Sequence, residues 1–328
     1  MKRRRTGRNA HRVGTAPGGR NGSTGVGHVA GRRSRPRCDT ATMPTNRSKR
    51  RRDAMCASAD IPEIVSCRVG GQILRARHRP GTGRPVLICS DFAVNIEVLD
   101  DFCAAMSRPT IVFDWPGVGA PGVSRFQRMP ALAALLVGLL DALGVAAVDV
   151  LGMGWGGLLA QQFARDHAHR LGRLVLVATS TGAIMLPGRL ANLRRLARTS
   201  GLRDIARDGS AARALFGGRR DTECRAVAGA LHRARAPALS AVAAQVYALA
   251  GFSSLTWAHR ISAPTLILAG DDDRLMPLAN ARVLQMLIPH AELSVLCAAG
   301  HWLLIERQFE AIRRIEAFLA GDDARTRR

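Results

Sequence analysis

Long hydrophobic runs are missing from this 328-residue chain, although 47% of its residues are hydrophobic. The longest uncharged apolar stretch, near Pro130–Leu140, is too short to cross a membrane. No charged start followed by an apolar segment marks a secretory signal. We therefore expect neither a membrane span nor a secretory leader. The length is enough for one large α/β domain or two smaller ones.

Cysteine is sparse and scattered along the chain. The seven cysteines are Cys38, Cys56, Cys67, Cys89, Cys103, Cys224 and Cys297. They form no Cys-x-x-Cys pair and have no histidines at the spacing of metal ligands, which argues against a zinc site. An odd, dispersed set is typical of free thiols in a reducing compartment. We predict a cytoplasmic protein that uses no metal and no other cofactor.

Acidic residues are nearly absent from residues 1–55, which contain 16 Lys or Arg but only Asp39 and Asp53. The segment lacks apolar periodicity, so we expect a basic, disordered tail. Three interpretations are open: a tail that binds nucleic acid or another anionic surface, an organelle transit peptide, or translation that begins at Met43 or Met55. The third is favoured, because the basic residues are nearly all arginine, as a GC-rich coding sequence gives. Nucleic-acid binding is therefore not expected.

Beyond the tail, short apolar strands alternate with helical segments, and this pattern predicts a mostly parallel, doubly wound α/β sheet. A hairpin that turns at Gly70-Gly71 precedes the core strands, and Ile96–Met106 is predicted to form a helix. The core is assigned to residues 56–182 and 261–328. Its predicted strands are Pro85–Cys89, Thr110–Phe113, Ala147–Leu151, Arg173–Ala178, Thr265–Ala269 and Glu292–Leu296.

Residues 183–260 interrupt the alternation of strands and helices. They are rich in alanine, contain 13 arginines against four acidic residues, and are predicted to be helical. An insertion between two core strands would lie over the carboxyl ends of the sheet, where ligands of open α/β sheets bind. We therefore predict an arginine-rich helical lid.

A serine is missing from the turn Gly152-Met153-Gly154-Trp155-Gly156, where a strand passes into a helix. Such a turn is the setting of the Gly-x-Ser-x-Gly nucleophile elbow, whose central residue is here Gly154. Further along, the acidic run 271–273 and then His301 each follow a predicted strand. Nucleophile, acid and histidine in this order are typical of Ser-His-Asp hydrolases on a parallel sheet.

Five stretches carry a more specific resemblance: FDWPGVGAPG, DVLGMGWGGLLAQQFARDH, LVLVATSTGAIMLPG, WAHRISAPTLILAGDDDRLMPLANARVLQMLIPHAEL and AGHWLL. Residues from about 85 to 319 resemble an α/β-hydrolase, specifically the intracellular depolymerases of medium-chain poly(3-hydroxyalkanoates). The resemblance implies an α/β-hydrolase fold with an inserted helical lid. It also implies hydrolysis of small esters, hydroxyacyl oligomers or a polyester surface by a Ser-Asp-His triad. Asp273 would be its acid, His301 its base, and the nucleophile would fall at Gly154.

Two departures from the family pattern predict that hydrolysis is impaired or absent. Gly154 has no oxygen that could attack a carbonyl, and glycine relieves the backbone strain of an elbow. Asp91 stands in the oxyanion loop where the family has glycine, so its charge would oppose an oxyanion held by the N–H of Trp155. A serine placed at position 154 is expected to point toward His301 and to restore some esterase activity, limited by Asp91.

Three alternatives remain open at this stage. Cys89, Ser90 or Asp91 could supply a substitute nucleophile. Asp273 and His301 could act together as a general base without a covalent step. The chain could also be a non-catalytic binding protein that uses its pocket, or uses its lid on an anionic granule or lipid surface.

Overall fold

The computed structural model describes residues 62–119, 125–182, 209–218 and 221–321, which all lie in one compact unit of the chain. The predicted tail, residues 1–55, lies outside the described residues, as do residues 183–208 of the predicted lid. The boundaries predicted for tail, core and lid therefore stay predictions.

Eight strands of the described residues form one sheet in the order β1-β2-β4-β3-β5-β6-β7-β8. β1 and β2 form the expected hairpin, β2 pairs antiparallel with β4, and all other pairs are parallel. The strands are β1 Val65–Val69, β2 Gln72–Arg79, β3 Val86–Cys89, β4 Thr110–Phe113, β5 Val148–Met153, β6 Leu171–Val177, β7 Thr265–Gly270 and β8 Ala291–Leu296. The prediction of a mostly parallel, doubly wound sheet is confirmed.

Helices connect the parallel strands in the described ranges. They are α1 Asp100–Ala105, α2 Met129–Ala142, α3 Trp155–Asp166, α4 Gly209–Phe216, α5 Asp221–Leu231, α6 Leu239–Leu249, α7 Leu278–Leu287, α8 Leu303–Glu306 and α9 Gln308–Ala320. The single helix predicted over residues 96–106 is wrong in detail, since a 3-10 turn, Ile96–Leu99, precedes α1. Helices α4 to α6 belong to the predicted lid segment. None of the helices described is long and apolar enough to cross a membrane.

The sheet separates two hydrophobic layers because side chains alternate along each strand. Leu87 and Cys89 of β3 face the layer that contains α2, α3 and α7. Val86 and Ile88 face the opposite layer, with α1, α8 and α9. All four side chains are fully buried, so the central strands are fixed from both sides.

The register of β3 and β5 brings together the loops that follow these two strands and contain Asp91 and Gly154. These neighbouring parallel strands pair Cys89 with Gly152 at their carboxyl ends. Asp91 and Gly154 each lie two residues beyond that pair. The fold therefore brings together two residues that are 63 positions apart in the chain.

Candidate active site

Gly154 forms the predicted elbow between β5 and α3. Its backbone has φ 52° and ψ −116°, a region that favours glycine. Its N–H donates to the carbonyl of Val177 at 2.9 Å, and the Thr179 hydroxyl donates to its carbonyl at 2.7 Å. Gly156, at the start of α3, has no room for a side chain, since a Cβ there would lie 2.1 Å from the Cys89 carbonyl oxygen. The elbow geometry is therefore retained although its serine is not present.

Asp91 occupies the loop after β3 and turns its side chain toward the elbow. Its Oδ1 accepts the backbone N–H of Phe92 at 2.7 Å and that of Trp155 at 2.8 Å. One donor follows the first core strand and the other follows the elbow, as in the oxyanion hole of this fold. The donor of the β3 loop is thus Phe92, whereas Asp91, which the sequence placed among the oxyanion-binding residues, supplies an anion itself.

His301 and Asp273 meet beside Asp91. The Nδ1 of His301 lies 2.9 Å from Oδ2 of Asp273, and both side chains are at most 2% exposed. Oδ1 of Asp273 accepts the backbone N–H groups of Leu275 at 2.9 Å and Met276 at 2.8 Å, which fixes the carboxylate. The main-chain N–H of His301 donates to the carbonyl of Phe216, the last residue of lid helix α4.

Among the three consecutive aspartates, only Asp273 contacts the imidazole. Asp271 instead accepts the backbone N–H of Ala298 at 2.6 Å, and Asp272 lies 3.8 Å from Arg274 in an ion pair. The structure thus brings Asp273 and His301 together as the sequence-based assignment requires.

The second ring nitrogen of His301 is also occupied. Its Nε2 lies 3.0 Å from Oδ2 of Asp91. In a Ser-His-Asp hydrolase this nitrogen receives the serine proton, and the two backbone N–H groups hold the oxyanion. Asp91 therefore contacts every group that would serve the missing serine and its substrate.

Asp91 also fills the space that a serine would need. A Cβ built on Gly154 would lie 2.1 Å from Oδ1 of Asp91 and 2.4 Å from its Cγ, so the Asp91 side chain would have to shift to admit it. A serine at position 154 could therefore point to His301 only if the Asp91 side chain moved, and the expectation for this variant stays a prediction. Asp91 in its present position is therefore compatible only with a glycine at position 154.

Contacts within this cluster shift the pKa values of His301 and Asp91 in opposite directions. Burial alone would lower the pKa of His301, but the charge and hydrogen bond of Asp273, and then those of Asp91, raise it well above its ordinary 6.5. Burial alone would raise the pKa of Asp91, whereas His301 and the two backbone N–H groups hold it below its ordinary 3.8. The two ring contacts therefore favour a protonated His301.

The other candidate nucleophiles lie outside this cluster. Burial in the core raises the pKa of the Cys89 thiol far above its ordinary value. The hydroxyl of Ser90 is 1% exposed and donates to the carbonyl of Val94 at 3.1 Å. Neither group contacts His301 among the hydrogen bonds of the described residues, so Asp91 is the only one of the three in a catalytic position.

Sequence reasoning missed Gln245, which reaches the loop from lid helix α6. Its buried Oε1 accepts the N–H of Ala93 at 2.9 Å, and its carbonyl accepts the indole N–H of Trp155 at 3.2 Å. Ala93 has φ 59°, so the loop adopts a left-handed turn, and the hydrogen bond to Gln245 stabilises it. A lone Gln in an alanine-rich helix gives no sequence signal for such a contact.

The prediction of free cysteines holds for three described residues and fails for one. The described ranges contain no cluster of three His, Cys, Asp or Glu side chains that could hold a metal ion. Cys67, Cys89 and Cys103 are free thiols, as expected. Cys297, however, is disulfide-bonded, so the expectation of uniformly reduced cysteines is wrong for this residue. The cytoplasmic location that rested on it stays a prediction.

Gly154→Ala is expected to destabilise the protein more than Gly144→Ala does. Gly144 follows α2 at φ 68°, and a Cβ there would meet nothing within 4 Å, so this control measures backbone strain alone. At position 154 the contact with Asp91 adds about 1–3 kcal/mol of overpacking. Urea unfolding of both variants measures the difference.

The same substitution in an Asp91→Gly background separates the two contributions. There the extra cost at position 154 should fall to the backbone strain of φ 52° and ψ −116°, because the atoms that crowd the new Cβ are gone. Equal costs at positions 144 and 154 in the otherwise unchanged protein would contradict the close packing of Asp91 on Gly154.

Comparison with known proteins identifies the family of this chain. A family model of the α/β hydrolase fold matches residues 88–308. A poly(3-hydroxyalkanoate) depolymerase of Ectopseudomonas oleovorans is 38% identical over 270 residues, which cover 77% of this chain and 91% of that protein. A 2-hydroxy-6-oxo-2,4-heptadienoate hydrolase of Pseudomonas putida is 28% identical over 290 residues, covering 81% of this chain and 99% of that protein.

Solved structures show the same fold. An enol-lactonase from Burkholderia xenovorans superposes with a TM-score of 0.65 at 21% identity, covering 78% of this chain and 100% of its own. A meta-cleavage product hydrolase from Pseudomonas fluorescens gives 0.64 at 20% identity, covering 79% of this chain and 98% of its own. At such identities the likeness concerns the fold alone.

Proposed function

We infer, because this chain belongs to the α/β-hydrolase fold family, that its site is that of a poly(3-hydroxyalkanoate) depolymerase-type ester hydrolase in which serine-dependent hydrolysis has been lost. The observation that carries this proposal is the position of Asp91. Its carboxylate contacts His301 and both backbone donors and leaves no room for a hydroxyl at position 154. The 38% identity to a depolymerase supports a hydroxyacyl ester as the ancestral substrate.

Ester hydrolysis at this site fails for two physical reasons. Among the residues that the structure describes, no hydroxyl bonds to His301 beside the oxyanion donors, so an acyl-enzyme cannot form there in the usual way. The carbonyl oxygen of an ester would also have to displace a carboxylate from the N–H groups of Phe92 and Trp155. Charged acceptors bind backbone donors more strongly than a neutral carbonyl does, so the ester carbonyl does not displace the Asp91 carboxylate.

General-base catalysis by Asp273 and His301 alone is less well supported. A general base must have a free lone pair at the pH at which it works. The Nε2 of His301 lies 3.0 Å from Oδ2 of Asp91, and the two flanking carboxylates favour the charged imidazole, in which this nitrogen has no free lone pair. Proton abstraction from a substrate would first require the removal of Asp91 from the imidazole.

A role in surface binding has one supporting observation in the lid. Four exposed apolar side chains lie on and beside α6: Phe126, Leu239, Val246 and Tyr247. The rings of Phe126 and Tyr247 meet edge to face at 5.6 Å. The lid arginines Arg233 and Arg235 instead form ion pairs with the core residues Asp101 and Glu97. Binding to a polyester or lipid surface would therefore use this apolar patch more than these arginines.

The unmodified protein is expected to resist labelling by a fluorophosphonate probe, which reacts only with an activated serine or a comparable nucleophile. Gel fluorescence after incubation with the probe, with an active serine esterase as positive control, measures this directly. Labelling that disappears in Ser90→Ala would refute the proposal, since it would identify Ser90 as a working nucleophile. Hydrolysis of p-nitrophenyl butyrate and octanoate above the uncatalysed rate would refute it as well.

A further inference from the structure

A groove of about 620 Å³ lies beside the second half of α3, away from the candidate active site. The start of α2 and the end of α6, with the segment that follows it, border the groove as well. Helix α3 begins at Trp155, directly after the elbow, whereas Gln162 and Arg165 line the groove near its other end. At 1.5 Å per residue, these two positions lie roughly 10–15 Å along the helix from the elbow. A volume of this size is typical of sites for small organic ligands.

One part of the groove is apolar and aromatic. Met129, Ala248, Phe252 and Trp257 line it, and each is at most 8% exposed. The rings of Phe252 and Trp257 meet edge to face, with their centroids 5.9 Å apart. An alkyl chain placed against these side chains would be removed from water without covering a charged group.

Arg165 supplies a guanidinium at the edge of the groove. It lies 4.8 Å over the ring of Trp257, a cation–π contact that fixes its position. Its one ion pair among the described residues joins its Nε to Oδ1 of Asp166 at 3.8 Å, which is longer than a hydrogen bond. No hydrogen bond of the Arg165 side chain occurs in the described ranges, so its N–H groups remain available to an anion.

Arg128, the residue before α2, supplies a second guanidinium. It lies 4.1 Å over the ring of Tyr247, and its Nη1 donates to the carbonyls of Tyr247, at 3.0 Å, and of Ala250. Its Nε and Nη2 have no hydrogen bond within the part of the chain that the structure describes. Two guanidiniums at one groove favour a carboxylate ligand, because the planar fork of N–H donors matches the two carboxylate oxygens.

Gln162 adds a hydrogen-bond acceptor to the groove. It is 3% exposed, and its Nε2 donates to Oδ2 of Asp166 at 2.5 Å. An ionised carboxylate only accepts hydrogen bonds, so the nitrogen of the amide must face Asp166 and the oxygen must not. Among the described residues that oxygen has no donor, and an acceptor buried without one is costly. The groove therefore suits a ligand with a hydroxyl group that donates to Oε1 of Gln162.

We propose that this groove binds a hydroxy carboxylic acid with an alkyl chain, of which 3-hydroxyoctanoate is the probe used below. The carboxylate pairs with Arg165 and Arg128, and the hydroxyl donates to Oε1 of Gln162. The alkyl chain lies against Phe252 and Trp257. This binding site goes beyond the proposed loss of serine chemistry, since it shares no residue with the candidate active site and involves no covalent step.

Isothermal titration calorimetry of the full-length protein with three probes tests the assignment. Sodium 3-hydroxyoctanoate should bind at a single site per chain. Octanoate, which lacks the hydroxyl, should bind about 5- to 10-fold more weakly, as the loss of one hydrogen bond predicts. Methyl 3-hydroxyoctanoate, which lacks the charge, should bind at least about 10-fold more weakly, because it loses the charge-assisted hydrogen bonds to the two arginines.

Two variants assign the binding to the groove. Arg165→Gln should weaken the binding of 3-hydroxyoctanoate at least about 10-fold. Gln162→Leu should retain the affinity for octanoate and remove the preference for the hydroxy acid. Arg282→Gln is the matched control, since Arg282 is an exposed residue of α7 that does not line the groove. It makes the same change of charge and should leave binding unchanged.

Three results would overturn the proposal: no saturable binding of 3-hydroxyoctanoate at millimolar concentration, equal affinity for octanoate, or an equal loss of affinity in Arg165→Gln and Arg282→Gln. The last would mean that the net charge of +23 attracts the anion without a specific site. The comparison of probes on the unmodified protein does not depend on any variant folding. The fluorophosphonate and ester assays report on other residues, so the two proposals fail separately.

Discussion

The double variant Gly154→Ser/Asp91→Gly will hydrolyse p-nitrophenyl esters, whereas neither single change will do so appreciably. Removing Asp91 frees the Nε2 of His301 and the N–H groups of Phe92 and Trp155. Serine at the elbow then has both the base and the oxyanion donors that acyl transfer requires. Loss of a triad serine costs roughly six orders of magnitude in well-studied hydrolases, so we expect a gain of at least about 1,000-fold in kcat/KM.

The single variants are the informative controls for this experiment. Gly154→Ser alone retains Asp91, whose Oδ1 would lie 2.1 Å from the new Cβ, so its hydroxyl has no place beside His301. Asp91→Gly alone frees the donors but supplies no nucleophile. Addition of His301→Ala to the double variant should return the rate to background. If the double variant folds and a crystal structure shows the serine hydroxyl bonded to His301, yet no ester is hydrolysed, the ancestral-esterase account is wrong.

His301→Gln will lower the free energy of unfolding by about 3–5 kcal/mol at pH 6, because it removes the cation shared by two buried carboxylates. Asp91 and Asp273 would then face each other's charge without a counterion. Urea unfolding followed by far-ultraviolet circular dichroism measures the loss. His259→Gln is the matched control, since His259 is exposed and its replacement should change stability by less than about 0.5 kcal/mol.

The same variant gives a pH dependence whose sign follows from the raised pKa of His301. Its ion pairs stabilise the folded protein fully below the ordinary pKa of 6.5, and this stabilisation is lost as pH rises through the higher folded value. The difference between the unmodified protein and His301→Gln should therefore narrow as pH is raised from 6 toward 9. A difference that widens with pH would mean that His301 is neutral when buried.

At acid pH the opposite sign applies to Asp91, whose pKa is lowered in the folded state. Its contribution is present above the ordinary 3.8 and is lost as pH falls through the lower folded value. The contact between Asp91 and His301 is therefore most stabilising at weakly acid to neutral pH, because the pKa of Asp91 is lowered and that of His301 is raised.

The sequence by itself determined the sheet and the rough location of the site. Apolar strands at regular spacing predicted the parallel core, and Gly70-Gly71 predicted the hairpin that pairs β1 with β2. The order of Gly154, Asp273 and His301 along the chain predicted which strand ends meet. These features depend on the local periodicity of apolar residues and on the order of motifs along the chain, both of which can be read from the sequence alone.

Only the tertiary structure decided what Asp91 does. In the sequence, Asp91 and Gly154 are two unrelated departures from a family pattern, and each taken alone indicates a loss of catalytic activity. The register of β3 on β5 places them side by side. The Asp91 carboxylate then fills the space in which a serine side chain would lie, and it bonds to the histidine and to the backbone donors that a serine hydrolase would use. Such complementarity depends on distances between segments 63 residues apart and on the directions of two side chains, neither of which is encoded in spacing along the chain.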